Sequence, residues 1–174
     1  IICVQTPLCK LRQPNLSYLE NICSNLSKHN LTGKMIIIES SIPSGTFEKL
    51  VIPSLNIQNK IGDDVWAAFV PERLSPGQGL SEFRTTPRLV GSLDDDSASI
   101  SKILYEQIIQ SKIISSSVKV VEISKLVENT FRDVNIALSN EVAKICEIYD
   151  IDVQELFTIC NSHPRVNLLQ PGPG

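Results

Sequence analysis

Residues 121–149 contain neither proline nor glycine. A stretch of about thirty residues without a backbone breaker can run as one helix of roughly 40 Å at 1.5 Å per residue, against about 11 or 12 residues for an ordinary helix. A helix that long acts as a spine between two domains. Its Leu126, Val134, Leu138, Val142 and Ile145 leave apolar surface for a contact with a second subunit. The 174 residues have room for one full domain, or for one domain and part of another.

Upstream of this run, short apolar strands alternate with helical segments, the pattern of a parallel sheet covered by helices. Strands are expected at residues 1–4, 35–39, 65–69, 88–91 and 112–114. Helices are expected over 15–29, with Asn15 placed to cap and Gly33 to stop it, over 47–52, ended by Pro53, and over 97–109. A further helix over 153–161 follows Asp150-Ile151-Asp152, and the chain closes on a segment stiffened by Pro164 and by Pro171-Gly172-Pro173-Gly174. The start, Ile1-Ile2-Cys3-Val4, has no initiator Met and no signal-peptide features; it reads as a buried strand whose partners are missing, so the chain reads as a piece of something longer.

Composition narrows the function. The residues are 42% hydrophobic and 20% charged, ordinary for a globular protein. Sixteen Lys/Arg against nineteen Asp/Glu leave a net charge of −3, and the basic residues are scattered, so nucleic acid is not an expected partner. Apolar runs such as Met35-Ile36-Ile37-Ile38 fall far short of the roughly 18 to 20 residues that cross a bilayer, so no membrane span is expected. Cys3, Cys9, Cys23, Cys146 and Cys160 are odd in number, lie on apolar stretches and form no C-x-x-C pair. The five point to a reducing cytoplasm, not to a disulfide framework or a zinc site, and Cys3, Cys9, Cys23 and Cys146 read as small core residues.

In open α/β sheets, ligands bind at the carboxyl ends of the strands. Gln5-Thr6-Pro7, Ser40-Ser41 and Pro71-Glu72-Arg73 follow the first three expected strands and could grip a polar ligand together; each hydroxyl could equally cap its own turn. On the long helix Lys125, Asn129 and Arg132 are spaced i, i+4, i+7 and so share a face. That trio suits an oxyanionic ligand, because Arg and Asn fix a polar group while Lys supplies charge and a transferable proton. The same spacing also fits a solvated stripe with Glu122, Glu128 and Asp133 as ion-pair partners. His163 and Arg165 sit in the proline-stiffened tail, which could hold a phosphate or base, or merely carry a capping histidine and a surface arginine. Cys160 and His163 lack the third, orienting group of a nucleophilic pair.

Ile2-Cys3-Val4-Gln5-Thr6-Pro7-Leu8, Glu39-Ser40-Ser41-Ile42-Pro43-Ser44-Gly45-Thr46, Pro71-Glu72-Arg73-Leu74-Ser75-Pro76-Gly77 and Pro87-Arg88-Leu89-Val90-Gly91 resemble the second half of the cofactor domain of the nucleotide-sugar 6-dehydrogenases, the UDP-glucose/GDP-mannose dehydrogenase family. The block from Lys125-Leu126-Val127-Glu128-Asn129 through Arg132 to Ala137, with His163 to Gly174, resembles the branch acting on UDP-N-acetyl-D-mannosamine. The resemblance implies an α/β fold: the second half of a Rossmann-like dinucleotide-binding domain over 1–115, then a long central helix and the start of a helical dimerisation domain over 116–174. It implies NAD as cofactor, a UDP-amino-sugar substrate, a homodimer or higher homo-oligomer through the 121–149 helix, and two hydride transfers that turn the sugar C6 alcohol into a carboxylate through a thiol-bound intermediate.

By motif position, the resemblance makes Lys125 the residue that handles the proton and oxyanion at C6, with Asn129 holding the associated water and Glu72 assisting it. Arg73, Leu74, Lys125, Asn129, Arg132, His163, Arg165 and Gly174 would line the substrate site, while Thr6 and Ser41 would touch NAD. Ser41 stands where a threonine is usual, and Leu8 replaces a second threonine and loses its hydroxyl. No G-x-G-x-x-G follows a first strand to bind the NAD pyrophosphate, and the chain stops where the family's glycine-rich segment with the nucleophilic cysteine would begin, so these residues alone are expected to be inactive. Two other readings stay open: a dehydrogenase for UDP-N-acetylglucosamine or UDP-glucose, and a non-catalytic nucleotide-sugar-binding module.

Overall fold

The computed structural model describes residues 1–58, 60–74 and 79–173. It divides into two compact units, Ile1–Lys125 and Leu126–Gly174. In the first, β1 (Met35–Ile38), β2 (Trp66–Phe69), β3 (Arg88–Ser92) and β4 (Ile113–Ser117) lie side by side in chain order. Ile36 pairs with Ala67 and Ile38 with Phe69 in a parallel ladder, and β3 and β4 are parallel too. β2 and β3 run antiparallel, with Phe69 opposite Gly91. The sheet is therefore mixed, where alternation predicts an all-parallel one. β3 starts at the end where β2 finishes, so no crossover is needed. The link carries only the short α3 (Gly79–Thr85), a helix the apolar pattern does not signal.

Both faces of the sheet are covered, which is why β1 reads Met-Ile-Ile-Ile without alternation. Ile36 and Ile38 pack on one face with Phe47, Leu55, Phe69 and the Leu19 and Cys23 of α1 (Ser17–Leu26); Ile37 packs on the other with Ala68, Val90 and Tyr105 of α4 (Asp95–Glu106). Each fully buried Ile, Leu or Phe contributes about 1.5–3 kcal/mol. Asp94 caps α4 by accepting from Ser97 N–H at 2.7 Å. The N-cap of α1 is Leu16, not Asn15, and it makes no side-chain cap bond; Asn15, one residue earlier, accepts from Ser17 N–H at 3.1 Å, and Gly33 (φ +73°) makes the turn before β1.

Three local expectations are corrected. Residues 1–4 form one parallel bridge, Ile2 to Ile38, rather than a strand; Ile2 N–H donates to Ile37 at 2.7 Å and Glu39 N–H to Ile2 at 2.9 Å. Pro53 does not end the helix at 52. A π-helical turn (Phe47–Val51) runs into α2 (Ile52–Leu55) with Pro53 at their junction, and Asn56 in the left-handed region (φ +55°) ends it. Cys23 and Cys146 are core residues, but Cys3 and Cys9 are exposed and Cys160 is intermediate; all five are free. Cys3 follows buried Ile2 and so turns to the opposite side of an extended segment.

α5 (Val118–Tyr149) spans 32 residues and begins directly after β4. α6 (Val153–Asn161) is capped by Asp152, which accepts from Gln154 N–H at 2.7 Å. Among the described residues no helix is long and apolar enough to cross a membrane. The first turn of α5 presses on β3: a Cβ at Gly91 would lie 2.9 Å from Val118 Cα and 3.0 Å from Val121 Cβ. Gly91→Ala should therefore cost about 1–3 kcal/mol by overpacking, read as a lower denaturant midpoint. An unchanged midpoint would disprove the close approach.

Candidate functional site

The first unit gathers its polar residues where β1 and β2 end. Ser40, 6% exposed, accepts Val4 N–H on its hydroxyl at 2.7 Å, so it ties the first segment to the end of β1. The Thr6 hydroxyl donates to the Ser41 carbonyl at 2.7 Å. The two residues expected to touch NAD are thus side by side at the carboxyl end of β1, with the Ser41 side chain exposed. That placement fits a dinucleotide lying across the strand ends. Leu8 is 66% exposed and brings no polar group to this edge.

Glu72 and Arg73 follow β2 and are partly buried. The Glu72 carboxylate accepts the Leu74 N–H, and Arg73 Nη1 donates to the Pro87 carbonyl at 2.7 Å. The loop is thus shaped by its own charged side chains as far as Leu74; Ser75, Pro76 and Gly77 lie outside the described residues. Lys125, on α5, is 9% exposed and belongs to this unit.

Two buried groups here escape sequence reasoning. Glu39 directly follows β1 and accepts from the Tyr105 hydroxyl and from Cys3 Sγ at 3.4 Å. Burial, then that hydrogen bond to Glu39, pushes the Tyr105 hydroxyl far above its ordinary pKa and raises the Cys3 thiol as well. Arg88, 1% exposed, stacks 4.2 Å from the Phe83 ring centre and 6.0 Å from that of Tyr105, and its guanidinium nitrogens have no hydrogen-bond partner among the described residues. The ring faces offset part of its desolvation. The second group is Glu122, 1% exposed, which accepts Gly45 N–H at 2.5 Å and Phe47 N–H at 2.9 Å. It is not a solvated ion-pair partner of the 125–132 stripe. Its position three residues before Lys125 was the only signal.

In the second unit, Asn129 is partly buried and accepts from Arg132 Nη2 at 3.1 Å. His163 and Arg165 are exposed, and His163 Nδ1 accepts Arg165 N–H at 3.2 Å. Gly174 lies outside the described residues. The tail is held by more than its prolines. Asn135 accepts Leu169 N–H at 2.8 Å and donates to the Asn167 carbonyl at 2.7 Å, Asn140 pairs both ways with Gly172, and Asn161 pairs both ways with Leu168. Buried Ser139 donates to the Leu169 carbonyl at 2.7 Å. A carboxamide presents a donor and an acceptor side by side, so each Asn reads the backbone as a strand partner would. On the same helix Val127, Phe131, Val134 and Leu138 are each more than half exposed and line a shallow apolar groove.

Comparison with known proteins agrees with this arrangement. Residues 1–109 match the UDP-glucose/GDP-mannose dehydrogenase family, NAD binding domain, and residues 119–174 match the family's central domain. The chain is 41% identical over its whole length to UDP-N-acetyl-D-mannosamine dehydrogenase of Methanocaldococcus jannaschii, covering 40% of that protein. It is 36% identical to NDP-N-acetyl-D-galactosaminuronic acid dehydrogenase of Ralstonia nicotianae, covering 43% of it. A solved structure of the UDP-N-acetyl-D-mannosamine enzyme of Pyrococcus horikoshii superposes with a TM-score of 0.88 at 37% identity, over 99% of this chain and 41% of that one. The chain therefore spans about two fifths of the relatives it matches. With an NAD-binding domain and the start of a central domain in the expected order, the chain belongs to the UDP-glucose/GDP-mannose dehydrogenase family.

Proposed function

We propose that the protein containing this chain oxidises the C6 alcohol of UDP-N-acetyl-D-mannosamine to the carboxylate in two NAD-dependent steps, giving UDP-N-acetyl-D-mannosaminuronate. The observation that carries the reading is identity to UDP-N-acetyl-D-mannosamine dehydrogenases of 41% and 39% across the full chain. NAD⁺, when bound, would accept the hydride from C6; Thr6 and Ser41, joined by a hydrogen bond after β1, are the residues that hold it in this reading. As a hydride leaves, the C6 oxygen must lose its proton or carry charge. Lys125, held on a helix and largely desolvated, takes that proton as the neutral amine and so becomes the cation beside the C6 oxygen. Asn129 orients the water or oxygen at the reacting carbon, and Glu72 assists that water.

Arg73, Leu74, Arg132, His163, Arg165 and Gly174 serve the nucleotide sugar, Arg132 and Arg165 by matching phosphate oxygens. The cradle of Asn135, Ser139, Asn140 and Asn161 keeps the tail in one shape before substrate arrives, which lowers the entropy lost on binding. A second copy of the chain covers the Val127, Phe131, Val134 and Leu138 row, because burying four such side chains recovers about 1.5–3 kcal/mol each. Free cysteines suit a reducing cytoplasm.

Steady-state assay of the full-length protein with each UDP-sugar is expected to yield about two NADH per UDP-N-acetyl-D-mannosamine; NADH from only the gluco epimer or UDP-glucose would overturn the substrate assignment. Lys125→Ala should lower kcat by about 10²–10⁴-fold with a much smaller change in substrate Kd. Near-normal turnover would remove Lys125 from the chemistry. Arg165→Ala should weaken UDP-sugar binding by about tenfold or more while kcat changes less, and an unchanged Kd would make it a surface arginine. Phe131→Glu should shift the protein to a smaller species by light scattering; an unchanged mass would rule out this face as the contact.

A further inference from the structure

Glu122 is a buried carboxylate with no part in the chemistry proposed above. A charge removed from water persists only when its oxygens are satisfied. Both are, by Gly45 N–H at 2.5 Å and Phe47 N–H at 2.9 Å. These amides open the helical stretch that begins at Phe47, where the unpaired N–H groups and the dipole favour an anion. The loop before it, residues 41–46, follows β1 and carries Ser41. Its near end is already tied, by Val4 N–H to the Ser40 hydroxyl and by the Thr6 hydroxyl to the Ser41 carbonyl. Its far end is tied by Glu122, and Gly45 (φ +82°) makes the bend that turns its N–H to the carboxylate.

We propose that Glu122 is a positioning residue of the dehydrogenase: it locks the cofactor-side loop to the helix turn that carries Lys125, three residues further on. The inference rests on the assignment of Ser41 to NAD and Lys125 to C6. Hydride transfer needs the nicotinamide and the reacting carbon in register to within a fraction of an ångström, and a loop free at one end does not provide that. The Lys119 to Glu48 ion pair, 3.1 Å, joins the same two elements. Its Lys119 side is exposed and its Glu48 side only partly buried, so solvent screens it and it cannot replace the buried anchor.

Glu122→Gln keeps the side-chain shape and one acceptor but turns an amide N–H₂ toward a backbone N–H. In the full-length apoenzyme, calorimetry should show NAD⁺ affinity weakened by about 10- to 100-fold, UDP affinity unchanged, and kcat lowered alongside. Glu48→Gln, which breaks only the surface pair, should change none of these. The proposal is overturned by a cooperatively melting Glu122→Gln protein with normal NAD⁺ affinity and kcat, or by one that loses UDP and NAD⁺ affinity equally, which would mark general loosening. Should the variant not fold, amide exchange at Gly45 and Phe47 in the unmodified protein decides: slowing when NAD⁺ binds supports the lock, and no response to NAD⁺ sinks it. A protein that binds NAD⁺ with these signatures yet makes no NADH from any UDP-sugar would refute the substrate reading and leave the lock standing.

Discussion

The first turn of α5 organises the N-terminal unit. Val118 and Val121 press on β3 at the one place where the facing residue has no side chain, and Glu122 between them and Lys125 takes two amides from the stretch after β1. Apolar contact sets the distance and the carboxylate sets the register. The two requirements reinforce each other, because a charge can be buried there only while the helix lies close enough for both amides to reach it. Lys125 inherits its position from that docking.

Polar work in this chain is done largely by side chains bonded to backbone. Ser40, Thr6, Glu72, Arg73 and Glu122 each shape a strand-end loop through a main-chain N–H or carbonyl. Asn135, Asn140 and Asn161 do the same for the tail. Loops need such partners, since they have no ladder of their own and a buried unpaired peptide group is costly. The Glu39, Tyr105 and Arg88 group stands apart as a side-chain cluster at the ends of β1 and the start of β3. Its chemistry is set by desolvation, which holds Tyr105 protonated and able to donate.

Legibility in the sequence followed the range of the interaction. The long helix was readable because the absence of breakers is a local property, and α6 matched its expected bounds for the same reason. Pro53 stands inside a continuous helical stretch, at the junction of a π turn and α2, which a pattern of breakers does not record. The reversed direction of β3 was invisible, as a buried strand has the same apolar run whichever way it points. Thr6, Ser41, Lys125 and Asn129 stand out as candidates through strand-end position and helical spacing. The partners of Glu122 were not, because they lie 75 and 77 residues away in sequence.

By itself the sequence determined most of the helices and buried strands, that the sheet carries helices on both faces, and which residues of the strand ends and the long helix are candidates for chemistry. Those follow from periodicity, breakers and caps, all of them nearest-neighbour physics. The tertiary structure alone decided that Glu122 is an anchor rather than a surface charge, that Arg88 is sealed beneath Phe83, and that four polar side chains cradle the tail. The reason is that burial and hydrogen-bond partnership belong to pairs of residues distant along the chain, and no one-dimensional pattern records which pairs fold together.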